Sequence, residues 1–108
     1  MKEISRKNID WEKTGIRLRD LRDHDLNLRR YVCWYFKFGV ANCSGDCMNC
    51  IYEMDKNVSR TELSMVFAVT ESVLFNWETG KTPPELEDLL LYADICGLTL
   101  DEIIVFAN

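Results

Sequence analysis

Ser59-Arg60-Thr61-Glu62 and Thr99-Leu100-Asp101-Glu102 follow one pattern. In each, a hydroxyl residue precedes a glutamate by three positions, so that the two side chains can satisfy free amides at a helix start. Between them Thr70 supplies another N-cap, Gly80 and Gly97 supply stops, and Pro83-Pro84 fits a loop and a first helical turn. These marks cut the second half of the chain into short helices over about 60–67, 70–79 and 85–96. A last helix opens at Thr99 and is expected to end in Ile103-Ile104-Val105-Phe106. The inward residues would be Leu63, Val66 and Phe67, then Leu86, Leu89, Leu90, Ala93 and Cys96, and the helix between them carries Val73, Leu74 and Trp77. No long alternating β-branched run occurs, so the chain reads as all-α.

The first half is punctuated less clearly. A helix is expected over 11–23, with Ile16, Leu18 and Leu21 as its apolar stripe and arginines at 17, 19 and 22. A second is expected from Leu26 to Phe38, apolar on more than one side through Leu28, Tyr31, Val32, Tyr35, Phe36 and Phe38, with Gly39 as stop. Residues 1–10 read as a charged N-terminal tail without the apolar stretch of a signal peptide. No apolar run is long enough for a membrane span, and 108 residues fit one domain around one core. A cytoplasmic location is the expectation, and there cysteines serve more often as thiols or metal ligands than as disulfides.

Residues 58–104, VSRTELSMVFAVTESVLFNWETGKTPPELEDLLLYADICGLTLDEII, bring two short helices together across a tight Ala68-Val69 turn, the spacing of a helix-turn-helix. With Ser59, Leu63, Val69, Leu74, the run Trp77-Glu78-Thr79-Gly80-Lys81, Pro84 and the stretch 98–102, the segment resembles the phage-repressor-like helix-turn-helix domain of the XRE type. TGIRLRDLR, residues 14–22, resembles that family's first helix. The fold so implied is a five-helix repressor-like domain over 11–108; residues 23–57 depart from the family pattern as an insertion expected to carry an extra helix and, from its own cysteine spacing, a zinc-binding loop.

The resemblance implies sequence-specific binding of double-stranded DNA in transcriptional regulation. A short helix held across another offers its first residues to base edges in the major groove. Carried over by position, Thr70, Glu71, Ser72, Phe75 and Asn76 would face the bases, and Arg60 and Lys81 would approach phosphates. The resemblance also implies an internal ion pair between Arg22 and Glu78. Charge complicates this picture. The net charge is −5; residues 1–54 hold ten Lys/Arg against eight Asp/Glu, and residues 55–108 hold three against ten. Arg17, Arg19, Arg29, Arg30 and Lys37 are candidates to compensate, or a solvated helix face. The reading face is also unusually apolar at Val73 and Phe75, and a protein partner, bound by the same scaffold as an adaptor, is the competing expectation. A homodimer is expected because most operators of this fold are read by dimers.

Cys33, Cys43, Cys47 and Cys50 have the spacing C-x9-C-x3-C-x2-C. Four thiolates form a complete tetrahedral shell for Zn2+, and Gly45 permits a tight bend within the loop. A cysteine-ligated iron–sulfur cluster, which would make a redox sensor, fits the same residues, and unligated thiols are the plain alternative. Cys96 has no close cysteine neighbour and reads as core; His24, the one histidine, reads as surface. Glu87-Asp88 and Asp101-Glu102 stand at helix starts, where the macrodipole favours them. No nucleophile–base pair, phosphate loop or HExxH occurs, so catalysis is not expected.

Overall fold

The computed structural model describes residues 8–37 and 57–107. Helix α1 (Trp11–His24) starts where the Asp10 carboxylate accepts from Lys13 N at 3.0 Å. Asp25 then serves two helices. Its amide donates to Leu21 O at 2.9 Å and closes α1, while its carboxylate accepts from Leu28 N at 2.9 Å and opens α2 (Leu26–Lys37). Downstream lie α3 (Arg60–Val66), α4 (Glu71–Thr79), α5 (Leu86–Cys96) and α6 (Leu100–Ile103). Both capping boxes form as the sequence indicates, at Ser59/Glu62 and at Thr99/Glu102.

Every one of these helices gives side chains to one core. Leu18, Leu28, Leu63, Leu74, Tyr92 and Ile103 are fully buried. Phe67, Trp77 and Tyr92 add a ring cluster, with Phe67 and Tyr92 centroids 4.5 Å apart. The tightest crossing is between α1 and α4. A Cβ at Gly15 would lie 2.5 Å from Glu78 O and 2.6 Å from Trp77 O, so only hydrogen fits there. Gly80, at φ 79°, ends α4 in the left-handed region, and a Cβ on it would meet the Glu12 backbone at 2.7 Å.

The last helix is shorter than expected. It stops at Ile103, and Ile104-Val105-Phe106 runs on extended. The cause is a partner distant in sequence: Asp10 N donates to Val105 O at 2.8 Å, Ala107 N to Asn8 O at 2.9 Å, and Ile9 and Phe106 form an antiparallel bridge. β-branched residues suit this extended pairing. Buried Thr14 locks it, its hydroxyl accepting from Val105 N at 2.9 Å. The last three residues of the expected tail are thereby tied to the domain.

Three expected core residues are also corrected. Ile16, Leu86 and Leu90 are 58%, 62% and 48% exposed. α5 carries apolar residues around much of its circumference, and α1 buries polar side chains in place of Ile16; the inner faces are set by Thr14, Leu18 and Arg22 in α1 and by Leu89, Tyr92, Ala93 and Cys96 in α5. In α2, Leu28 and Val32 are buried, while Trp34, Tyr35 and Phe36 are exposed. Phe38, Cys43, Cys47 and Cys50 lie outside the described residues. Cys33 is half-buried on α2, and among the described residues no cluster of metal-ligating side chains occurs. Nor, among them, is any helix long and apolar enough to cross a membrane.

Candidate nucleic-acid interface

Two helices and the turn between them make the site. Leu63 and Ser64 anchor α3 to the core, and Phe67 closes it, its amide donating to Leu63 O at 3.0 Å. The chain then reverses at Ala68, which takes φ 56°, and Val69 N returns to Ser64 O at 2.9 Å. Thr70 follows as N-cap of α4, its hydroxyl accepting from Val73 N at 3.2 Å. Leu74, Trp77 and Glu78 fix the inner face of α4. The outer face carries Glu71, Ser72 and Phe75, all exposed, with Thr70 at its start and half-buried Asn76 at its border. Five of the expected contact residues therefore share one helix and its cap.

The two expected phosphate contacts flank that face. The Asn76 carbonyl accepts from Lys81 N at 2.9 Å and from Thr82 N at 3.4 Å, which holds the exposed Lys81 just beyond α4. Arg60 stands at the start of α3. It is more engaged than its sequence position indicates: Nε donates to Glu78 Oε1 at 3.2 Å, and the guanidinium lies over the Phe75 ring at 5.0 Å from its centroid. Its Nη groups make no hydrogen bond to other described residues. Arg60 precedes Phe75 by fifteen positions and Glu78 by eighteen, so no local signal joins it to them, and only the fold brings the three together.

Under the site lies the ion pair implied by the resemblance. Arg22 donates to Glu78 through Nε at 2.7 Å and Nη2 at 3.0 Å, and to Val58 O through Nη1 at 3.0 Å. Both side chains are nearly sealed from solvent, at 9% and 2% exposed. Burial works against the Arg22 charge, but the hydrogen bond and the charge of Glu78 outweigh it, and the guanidinium is held protonated beyond its ordinary range. A bidentate buried pair of this kind fixes the angle of α1 against α4 more than it adds net stability. Glu78 carries one negative charge and faces two arginines. One positive charge is therefore left over beside the outer face of α4, partly offset by Asp23 at 3.7 Å from Arg22.

The comparison with known families agrees with this geometry. The Helix-turn-helix family model matches residues 53–103, from just before α3 through α6. Residues 53–103 are a helix-turn-helix segment of the XRE type. This family is one of DNA-binding regulators. The match leaves out α1, which the structure nevertheless packs along α4, as expected of the family's first helix. No curated protein and no solved structure matches the chain.

The other candidate cations are largely committed within the domain. Arg17 donates to Glu102 O at 2.6 Å, Arg19 lies 3.8 Å from Asp23, and Arg29 donates to Asn57 Oδ1 at 3.2 Å.

Proposed function

We propose that the protein is a sequence-specific DNA-binding transcriptional regulator that inserts α4 into the major groove. The observation that carries this reading is the exposed edge Thr70-Glu71-Ser72-Phe75, which lies inside the segment that matches the family and is held from behind by the Arg22–Glu78–Arg60 cluster. Ser72 can bond to several base edges, Glu71 can accept from a cytosine amino group, and Phe75 offers an apolar contact. Arg60 and Lys81 would position the domain on the backbone without reading sequence. In a gel shift against fragments of the source genome, the protein retards a subset that resists competitor DNA. Joint replacement of Thr70, Glu71 and Ser72 by alanine abolishes that subset. Binding that survives this replacement rules out α4 as the reading helix.

The metal proposal stands on sequence spacing. Cys33, half-buried on α2, would join Cys43, Cys47 and Cys50 around one Zn2+ and clip the inserted loop to a rigid helix. A structural zinc of this kind contributes on the order of 10 kcal/mol to the folded state. Protein purified under reductant is expected to hold about one zinc per chain. Cys47→Ser then lowers both the metal content and the melting temperature. A brown preparation absorbing in the visible would instead assign an iron–sulfur cluster to the same thiolates.

A further inference from the structure

We infer that Phe75 selects thymine through its 5-methyl group, with Arg60 as the residue that positions the ring. This inference rests on the DNA-binding reading and names what that face recognises.

Phe75 lies in the middle of the outer face of α4 and is 42% exposed. The ring is not loose there. Arg60 covers it at 5.0 Å, Glu78 holds Arg60, and Arg22 holds Glu78, so the ring rests on a chain of fixed charges that leads into the core. The guanidinium lies over one face of the ring, and part of the side chain stays exposed.

The rest of the face narrows the choice of base. Guanine is read best by Arg or Lys, and adenine by paired bonds from Asn or Gln. The exposed residues of α4 and its cap include no Arg, Lys or Gln, and Asn76 is half-buried at the border. The Thr70 hydroxyl already accepts a backbone bond as cap. An apolar ring at the centre of such a face has one complementary feature in the major groove, the thymine methyl. The neighbouring cations favour DNA over an apolar protein surface as the occupant, because Lys81 and the Arg60 Nη groups, which lie beyond the bond from Nε to Glu78, would otherwise be drawn from water without an anion to meet.

The test uses the full chain and genomic fragments amplified with dUTP in place of dTTP. Uracil keeps every hydrogen-bonding edge of thymine and lacks only the methyl. For a fragment that the protein retards, uracil substitution weakens binding about fourfold per methyl contacted, the worth of one buried methyl group. That ratio stays constant as salt is raised, while both affinities fall. Phe75→Ala binds the two DNAs equally, and Phe75→Leu, which keeps apolar bulk, retains part of the preference. Arg60→Lys keeps the charge and the salt dependence but loses the flat cover of the ring, and its thymine preference shrinks. Equal binding of both DNAs by the unaltered protein overturns the inference, as does a uracil effect that persists in Phe75→Ala, and either result leaves DNA binding standing. Failure to retard any fragment overturns the DNA-binding reading and the thymine contact with it.

Discussion

Cys96 sits on the inner face of α5, where burial, followed by the charge and hydrogen bond of Asp25, pushes its thiol from its ordinary value near 9 to about 12. Tyr92, one turn earlier, is fully buried with no hydrogen-bond partner for its hydroxyl among the described residues, and burial and the Glu78 charge hold its proton on as well. Both groups keep their protons in the folded chain at a pH where the unfolded chain has begun to lose them. Stability is therefore undiminished by Cys96 below pH 9 and falls as pH rises from about 9 to about 12, by up to about 1.4 kcal/mol per pH unit for one group. Urea unfolding at pH 8 and at pH 10.5 measures this, and Cys96→Ala is expected to show the smaller loss between the two. Parallel losses in the two proteins would mean that the thiol ionises in the native state. Ala68 is the other residue under local constraint, at φ 56° in the turn between α3 and α4. An L-residue there bears about 1–2 kcal/mol of steric cost. Ala68→Gly removes that cost but gains freedom in the unfolded chain, so the unfolding free energy from urea melts is expected to shift by less than about 1 kcal/mol. Ala68→Val puts a branched Cβ into the left-handed region and is expected to lose more than about 1 kcal/mol.

Helix α1 and helix α4 meet through glycine. With Gly15 Cα close enough that a methyl would press on the carbonyls of Trp77 and Glu78, Gly15→Ala forces the two helices apart. Loss of about 1–3 kcal/mol, the usual range for overpacking, is expected in urea melts, with weaker DNA retardation because α4 is no longer held at its angle. An unchanged melt would mean that the crossing is looser than 2.5 Å implies. This contact also marks where sequence reading runs out at the scale of an element. The caps at Ser59 and Thr99 were legible because each is complete within four residues. So was the shared outer face of Thr70, Glu71, Ser72 and Phe75, because a helix of known start fixes which positions lie on one side of it. The inner faces of α1 and α5 were not legible, since Ile16, Leu86 and Leu90 are as apolar as the residues that are buried, and only the neighbouring helix decides between them. The end of α6 escaped for a related reason: Asn8 to Asp10, which hold Val105 to Ala107 extended, stand more than ninety positions away. The engagement of Arg60 with Glu78 and Phe75 likewise depends on tertiary contact alone.

At the scale of the molecule, an acidic chain is being asked to meet a polyanion. A net charge of −5, with the helix-turn-helix half the more acidic, gives little long-range attraction to phosphate and suppresses binding to arbitrary DNA. Discrimination must then come from the groove, which agrees with an outer face of α4 that carries a ring and hydroxyls in place of basic residues. The phosphate contacts left to the domain are few. Arg17, Arg19 and Arg29 are bonded to or lie beside oxygen atoms of the same chain, whereas Lys81 and Arg60, whose Nε alone is bonded to Glu78, stand beside α4. Each phosphate neutralised contributes about −0.9 to the slope of log K against log salt. One domain on its site is expected to show a slope near about −1.8, and two domains on a two-fold site near about −3.6. Titrations of a retarded fragment between low and moderate salt therefore report the number of copies bound as well as the mode of contact. Lys81→Ala should make the slope shallower by about 0.9 per copy and weaken all sequences alike, leaving the thymine preference intact. A slope steeper than about −5 would show that cations of the first half also reach the backbone, and would move the interface from α4 alone to a surface that includes α1 or α2.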